Sequence, residues 1–209
     1  MPRSSQLLDE AANAAFQNAV QLFEEAKLLC HHKKWARSYA LALLAAEQYT
    51  KSFEFKCEQI GFRLPNVPDR EVHEFRLLRF TFLLILPHLM SVGGYNLFAK
   101  LANVSLREPD RKLMKRAYSI FGKDTDRKKE LAFYVDLNAK LRIPSNEIKK
   151  KDCKEVLEVM EDTIGAKPFF LTERGEQLKS ALALSYFPLF DRSQSELFKL
   201  IGRQYLRGA

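Results

Sequence analysis

Glycine and proline are scarce. Eight of each in 209 residues make up about 8% of the chain, against roughly 12% in average usage, so the turns that a sandwich or barrel needs are under-supplied. That scarcity argues against an all-β sandwich or barrel. Cysteine is scarcer still: Cys30, Cys57 and Cys153 are odd in number, far apart and without C-x-x-C spacing. Neither a disulfide framework nor a thiolate zinc site is signalled, and a reducing, cytoplasmic setting is expected. The longest apolar run, Phe80 to Met90, contains Pro87 and His88 and follows Arg79. It stops far short of the roughly 18 residues a membrane span requires, so it reads as a buried helix and no membrane partner is expected. The first ten residues hold one basic side chain and no apolar stretch of signal-peptide length. P-loop, G-x-G-x-x-G, H-E-x-x-H and G-x-S-x-G motifs are absent. With four histidines and no carboxylate cluster, no cofactor and no metal are expected; His31-His32 lies beside Lys33 and Lys34, whose charge discourages cation binding.

What is abundant is helix. The chain is 46% hydrophobic and 29% charged, the balance of a globular protein. Apolar residues at Leu8, Ala12, Ala15, Ala19, Leu22, Ala26 and Leu29 alternate steps of four and three, which aligns them in one helical stripe, widened by Phe16, Phe23 and Cys30. A second helix is predicted from Trp35 to about Gln59. Its eight consecutive apolar residues, Tyr39 to Ala46, indicate a helix surrounded by protein, and Gly61 is placed to end it. The short link between the two predicts an antiparallel hairpin.

Further helices are expected from Asp69 to Pro87, from Tyr95 to Val104, from Pro109 to Phe121, from Glu147 to Ile164 with Ser145 as cap, near Thr172 to Tyr186, and from Ser193 to Leu206. Leu131 to Leu137 turns aromatic and β-branched and reads as a helix end passing into an extended segment near 132–137. The expected fold is therefore all-α, a single helical domain over residues 1–209.

Three groups of polar residues carry candidate chemistry. Glu47 and Lys51 are spaced i,i+4 immediately after the all-apolar stretch, where partly buried charges demand partners; they are either a clamp between helices or one side of a functional pocket. His73 and Arg76 share a helix face, and a neutral imidazole beside a guanidinium suits RNA cleavage, although an exposed polar face accounts for them equally well. Between Arg107 and Lys129 there are nine Lys or Arg against four Asp or Glu. Arg111, Lys112, Lys115, Arg116, Lys128 and Lys129 of that window are candidates to contact nucleic-acid phosphates, or they form a solvated helix face.

The stretch Ala36-x-x-Tyr-Ala-Leu-Ala-Leu-Leu-Ala-Ala-Glu-Gln-x-x-Lys51 resembles the "A-x-x-LA-x-LA-x-EE-x-x-K" pattern of the AbiV family of bacterial abortive-infection proteins. His73-x-x-Arg76 resembles its "H-x-x-K" element, and Arg127-Lys-Lys-Glu-Leu-Ala-Phe-Tyr-Val-Asp136 its "R-x-x-x-LYVD" element. The elements keep the family's order across about residues 11–150, leaving 151–209 as a C-terminal helical extension. The resemblance implies a HEPN-like helical bundle, a homodimer, that arrests the growth of phage-infected cells at RNA or translation, with a phage-encoded activator as a further partner. Carried over by position, the site residues are Glu47, Lys51, His73, Arg76, Arg127, Tyr134 and Asp136.

This chain departs from the pattern in three respects. No histidine has an arginine five to seven residues before it, the spacing many HEPN ribonucleases use. Gln48 replaces the second Glu, and Arg76 replaces Lys. A non-enzymatic protein that binds a protein partner in the same defence setting is the alternative these departures favour.

Overall fold

The structure is a computed structural model describing residues 4–61, 80, 116, 120–121, 125–134, 136–137, 141–164 and 169–171. Its helices are α1 (Ser5–His31), α2 (Trp35–Gln59), α3 (Thr125–Phe133), α4 (Pro144–Glu147) and α5 (Lys150–Ile164), with a 3-10 turn at Phe169–Leu171. Two short strands, β1 (Asp136–Leu137) and β2 (Leu141–Arg142), pair antiparallel with Asp136 opposite Arg142. The fold is all-α, as expected.

α1 begins where the Ser4 hydroxyl accepts the Leu7 N–H at 3.2 Å, a side-chain cap on one of its otherwise orphaned donors. Its buried residues are Leu8, Ala12, Ala15, Phe16, Ala19, Phe23 and Ala26, the predicted stripe with Leu22, Leu29 and Cys30 only half-buried. Most are alanines, which lets α2 approach along its whole length. The α1–α2 turn is a Schellman ending: Lys34 N–H donates to Leu29 C=O at 2.9 Å and Lys33 N–H to Cys30 C=O at 3.0 Å. The left-handed residue such an ending requires is Lys33, at φ 60°. α2 ends with Gly61 in the same conformation, φ +73°.

Two serines of α2 bind the hairpin together. Ser38 Oγ donates to Ala26 C=O at 2.6 Å and Ser52 Oγ to Ala12 C=O at 2.7 Å. The donors and the acceptors are each about four turns apart, as antiparallel helices demand. Both hydroxyls are buried, so each must find an acceptor, and the carbonyls use a second lone pair to supply it.

α2 is the central element, touching α1, α3, α4, α5 and the 3-10 turn. Tyr49 sits in an edge-to-face aromatic cluster with Phe16, Phe80 and Phe170 at centroid distances of 6.2, 5.5 and 5.5 Å. Its burial raises the phenol's pKa.

Three expectations shift. The helix expected from Glu147 starts at Lys150, because the one-turn α4, opened by Pro144, precedes a break at Ile148. Its first turn is served by Asp152, whose carboxylate accepts the Lys149 N–H at 3.0 Å, rather than by Ser145. Of the expected extended segment, the described strand is Asp136–Leu137, since α3 runs through Phe133 and the Tyr134 N–H still donates to Glu130 C=O at 2.9 Å. Apart from Phe80, Arg116, Ile120 and Phe121, the helices expected between Asp69 and Phe121 lie outside the described residues, as do both expected after Thr172.

Candidate functional site

Glu47 lies in the middle of α2, one residue past a segment whose side chains are packed in protein, and is only 3% exposed. An ionised carboxylate in such a place requires a counter-charge and hydrogen bonds. Lys129, on α3, provides one: its Nζ donates to Glu47 Oε1 at 2.7 Å and the residue is 9% exposed. α3 can deliver it because Lys129 and Ala132, three residues apart, face α2, while Lys128, Glu130 and Phe133 are exposed. One turn beyond Glu47, Thr50 Oγ1 donates back to Ala46 C=O at 3.0 Å.

This arrangement bears on two of the candidate residues. Glu47 pairs across to α3, not along its own helix with Lys51; the Lys51 ammonium instead lies 5.7 Å from the Phe55 ring centroid. Lys129, expected among the phosphate-contacting cations, is buried and engaged by a carboxylate. Two further cations of the same window are exposed but face acids on α5: Arg116 pairs with Glu158, and Lys128 lies 3.9 Å from Asp152.

Tyr134 does not join the buried Glu47–Lys129 pair. It is 68% exposed, beside Phe133, and its N–H completes the last turn of α3. Arg127 is in the first turn of α3 and Asp136 in β1. His73, Arg76, Arg111, Lys112 and Lys115 lie outside the described residues.

Near the α1–α2 turn the electrostatics change. Exposed cations gather at the starts of two helices: Lys33, Lys34 and Arg37 at α2, and Lys149, Lys150 and Lys154 at α5. Trp35 connects the two groups, with the Lys150 ammonium 5.9 Å from its ring centroid. The sequence signals for this cluster are the runs Lys33-Lys34 and Lys149-Lys150-Lys151, which take on joint meaning once α5 docks beside the turn. Beneath it Cys153 Sγ donates to Ser38 Oγ at 3.0 Å. Burial pushes the Cys153 thiol up to about 12, so it stays protonated and unreactive near neutral pH.

Among the described residues, no group of three or more His, Cys, Asp or Glu is arranged to hold a metal ion, and no helix is long and apolar enough to cross a membrane. The class these features define is an all-α bundle with a central alanine-rich helix and a buried Glu–Lys pair. The family model described as AbiV, of HEPN type, matches residues 7–165, and the chain belongs to that family. The match reaches beyond the 11–150 resemblance and takes in α5. Membership carries a role in abortive infection. No curated protein and no solved structure matches the chain.

Proposed function

We propose that this AbiV-family chain arrests the growth of infected cells by engaging RNA, and that it does so as a binder, with Glu47 and Lys129 as a structural clamp. The observation that carries this reading is the distribution of charge. The carboxylate that the sequence singles out is engaged by an ammonium 2.7 Å away in the interior, whereas exposed cations with no carboxylate in ion-pair range among the described residues gather at the α1–α2 turn and the start of α5. Net charge of +8 supports an anionic partner. The missing Arg/His spacing favours binding over cleavage.

The test is to mix the purified chain with total RNA over a range of salt concentrations and to follow both retention and integrity of the RNA. The reading expects retention that weakens steeply with salt and RNA that stays intact. Absence of binding at every salt concentration would remove it, and rapid fragmentation would replace the binder with a nuclease.

A further inference from the structure

Beside the α1–α2 turn, α1, α2 and α5 enclose an open groove of about 590 Å³, whose lining includes Lys27, Lys33, Trp35, Lys150, Lys154 and Glu158. Its charges divide into engaged and unengaged sets. Lys27 is held by Glu24 at 2.6 Å and reaches Glu161 at 3.6 Å, while Glu158 is held by Arg116. Among the described residues, no carboxylate lies within ion-pair distance of Lys33, Lys150 or Lys154. The groove therefore presents three ammonium groups outside ion-pair range of the described carboxylates around the half-buried ring of Trp35, with Lys154 still under the influence of Glu158, and Lys150 rests on that ring only at the outer edge of cation–π range. Lys33 occupies a left-handed position that glycine would hold with less strain.

We propose that this groove binds nucleotide units of single-stranded RNA, with Trp35 stacking on a base and Lys33, Lys150 and Lys154 holding the flanking phosphates. Ammonium groups act on phosphate as point charges, an indole face accepts any base, and the combination is how strands are gripped without sequence preference. When a base takes the ring face, Lys150 transfers from the indole to a phosphate. An acidic protein segment would use the lysines but leave the indole without a stacking partner. The volume is in the range of sites that hold a ligand of nucleotide size. This inference rests on the RNA reading above and adds where on the chain the strand lies.

Trp35 is the chain's single tryptophan, so its fluorescence reports on this groove alone. The experiment titrates the full chain with a 12-nucleotide single-stranded RNA, following Trp35 emission and, in parallel, the anisotropy of labelled RNA; AMP is titrated separately. The expected result is saturable quenching with the same midpoint as the anisotropy change, and much weaker quenching by AMP. Lys150→Gln with Lys154→Gln, both on exposed positions, should flatten the slope of log K against log salt by about 1.4. Trp35→Leu should weaken binding about tenfold. RNA binding that leaves Trp35 emission unchanged and is indifferent to the lysine substitutions would overturn this site while leaving the RNA reading standing. Equal midpoints for AMP and the 12-mer would overturn the strand in favour of a free nucleotide, and no RNA binding at all would overturn both.

Discussion

Lys129 reaches 82 positions back along the chain to place its ammonium 2.7 Å from the Glu47 carboxylate, joining α3 to α2 inside the bundle. Each group offsets the burial of the other, so removing one withdraws a close counter-charge from a site that water scarcely reaches. Lys129→Met should therefore lower unfolding free energy by about 3–5 kcal/mol, measured by urea denaturation. A loss below about 1 kcal/mol would mean that the Lys129 ammonium does little to hold the Glu47 carboxylate.

The two buried serines should behave differently. Ser52→Ala removes one hydroxyl donor but leaves its carbonyl acceptor with an intrahelical bond and should cost about 1 kcal/mol, whereas Ser38→Ala also takes away the acceptor of the buried Cys153 thiol and should cost more. They bond at opposite ends of the hairpin and share no partner, so the double variant should show the sum. Melting curves of the three variants check this, and strong non-additivity would contradict the picture of two independent fasteners.

Lys33 and Gly61 end successive helices in the same left-handed conformation, and opposite substitutions should have opposite effects. Gly61→Ala introduces a Cβ that meets nothing within 4 Å, so its cost is conformational alone, about 1 kcal/mol. Lys33→Gly should relieve strain and raise stability by up to about 1 kcal/mol. The measurement is the shift in denaturation midpoint. A stabilising Gly61→Ala would refute the helix ending.

The buried thiol and phenols set an alkaline limit. Cys153 ionises near its ordinary 9.0 when unfolded but only at about 12 when folded, burial being the main cause. The folded form thus keeps a proton that the unfolded chain has lost, and the associated stability is complete below pH 9 and falls as pH rises from there toward 12. Tyr39 and Tyr49, with pKa values raised mainly by burial, act in the same direction. Denaturant midpoints between pH 8 and 11 should fall, and Cys153→Ala should make that fall shallower. A pH-independent midpoint would contradict the burial of these groups.

The first two helices are legible in the sequence because their signals are local. The three-four spacing from Leu8 to Ala26, the apolar stretch from Tyr39 to Ala46 and the stop at Gly61 each act within a turn or two. Partnership between distant residues is not legible in the same way. Glu47 advertises a need for a counter-charge, yet Lys51 at i+4 and Lys129 on another helix satisfy that need equally on paper. Only the docking of α3 decides between them. The same limit explains why Lys129 looks like one more cation in a basic window, and why Lys33 and Lys150, more than a hundred positions apart, give no sign that they border one groove.

The most direct test of the account exchanges the clamp for apolar side chains, Glu47→Leu with Lys129→Met, and measures growth arrest in phage-infected cells alongside the melting temperature of the purified variant. Replacing both members of a buried ion pair with apolar groups of similar volume is often neutral or stabilising. The account predicts a folded variant that still arrests growth. A variant that melts like the unaltered chain but no longer arrests growth would contradict it, showing that the charges themselves take part in the activity.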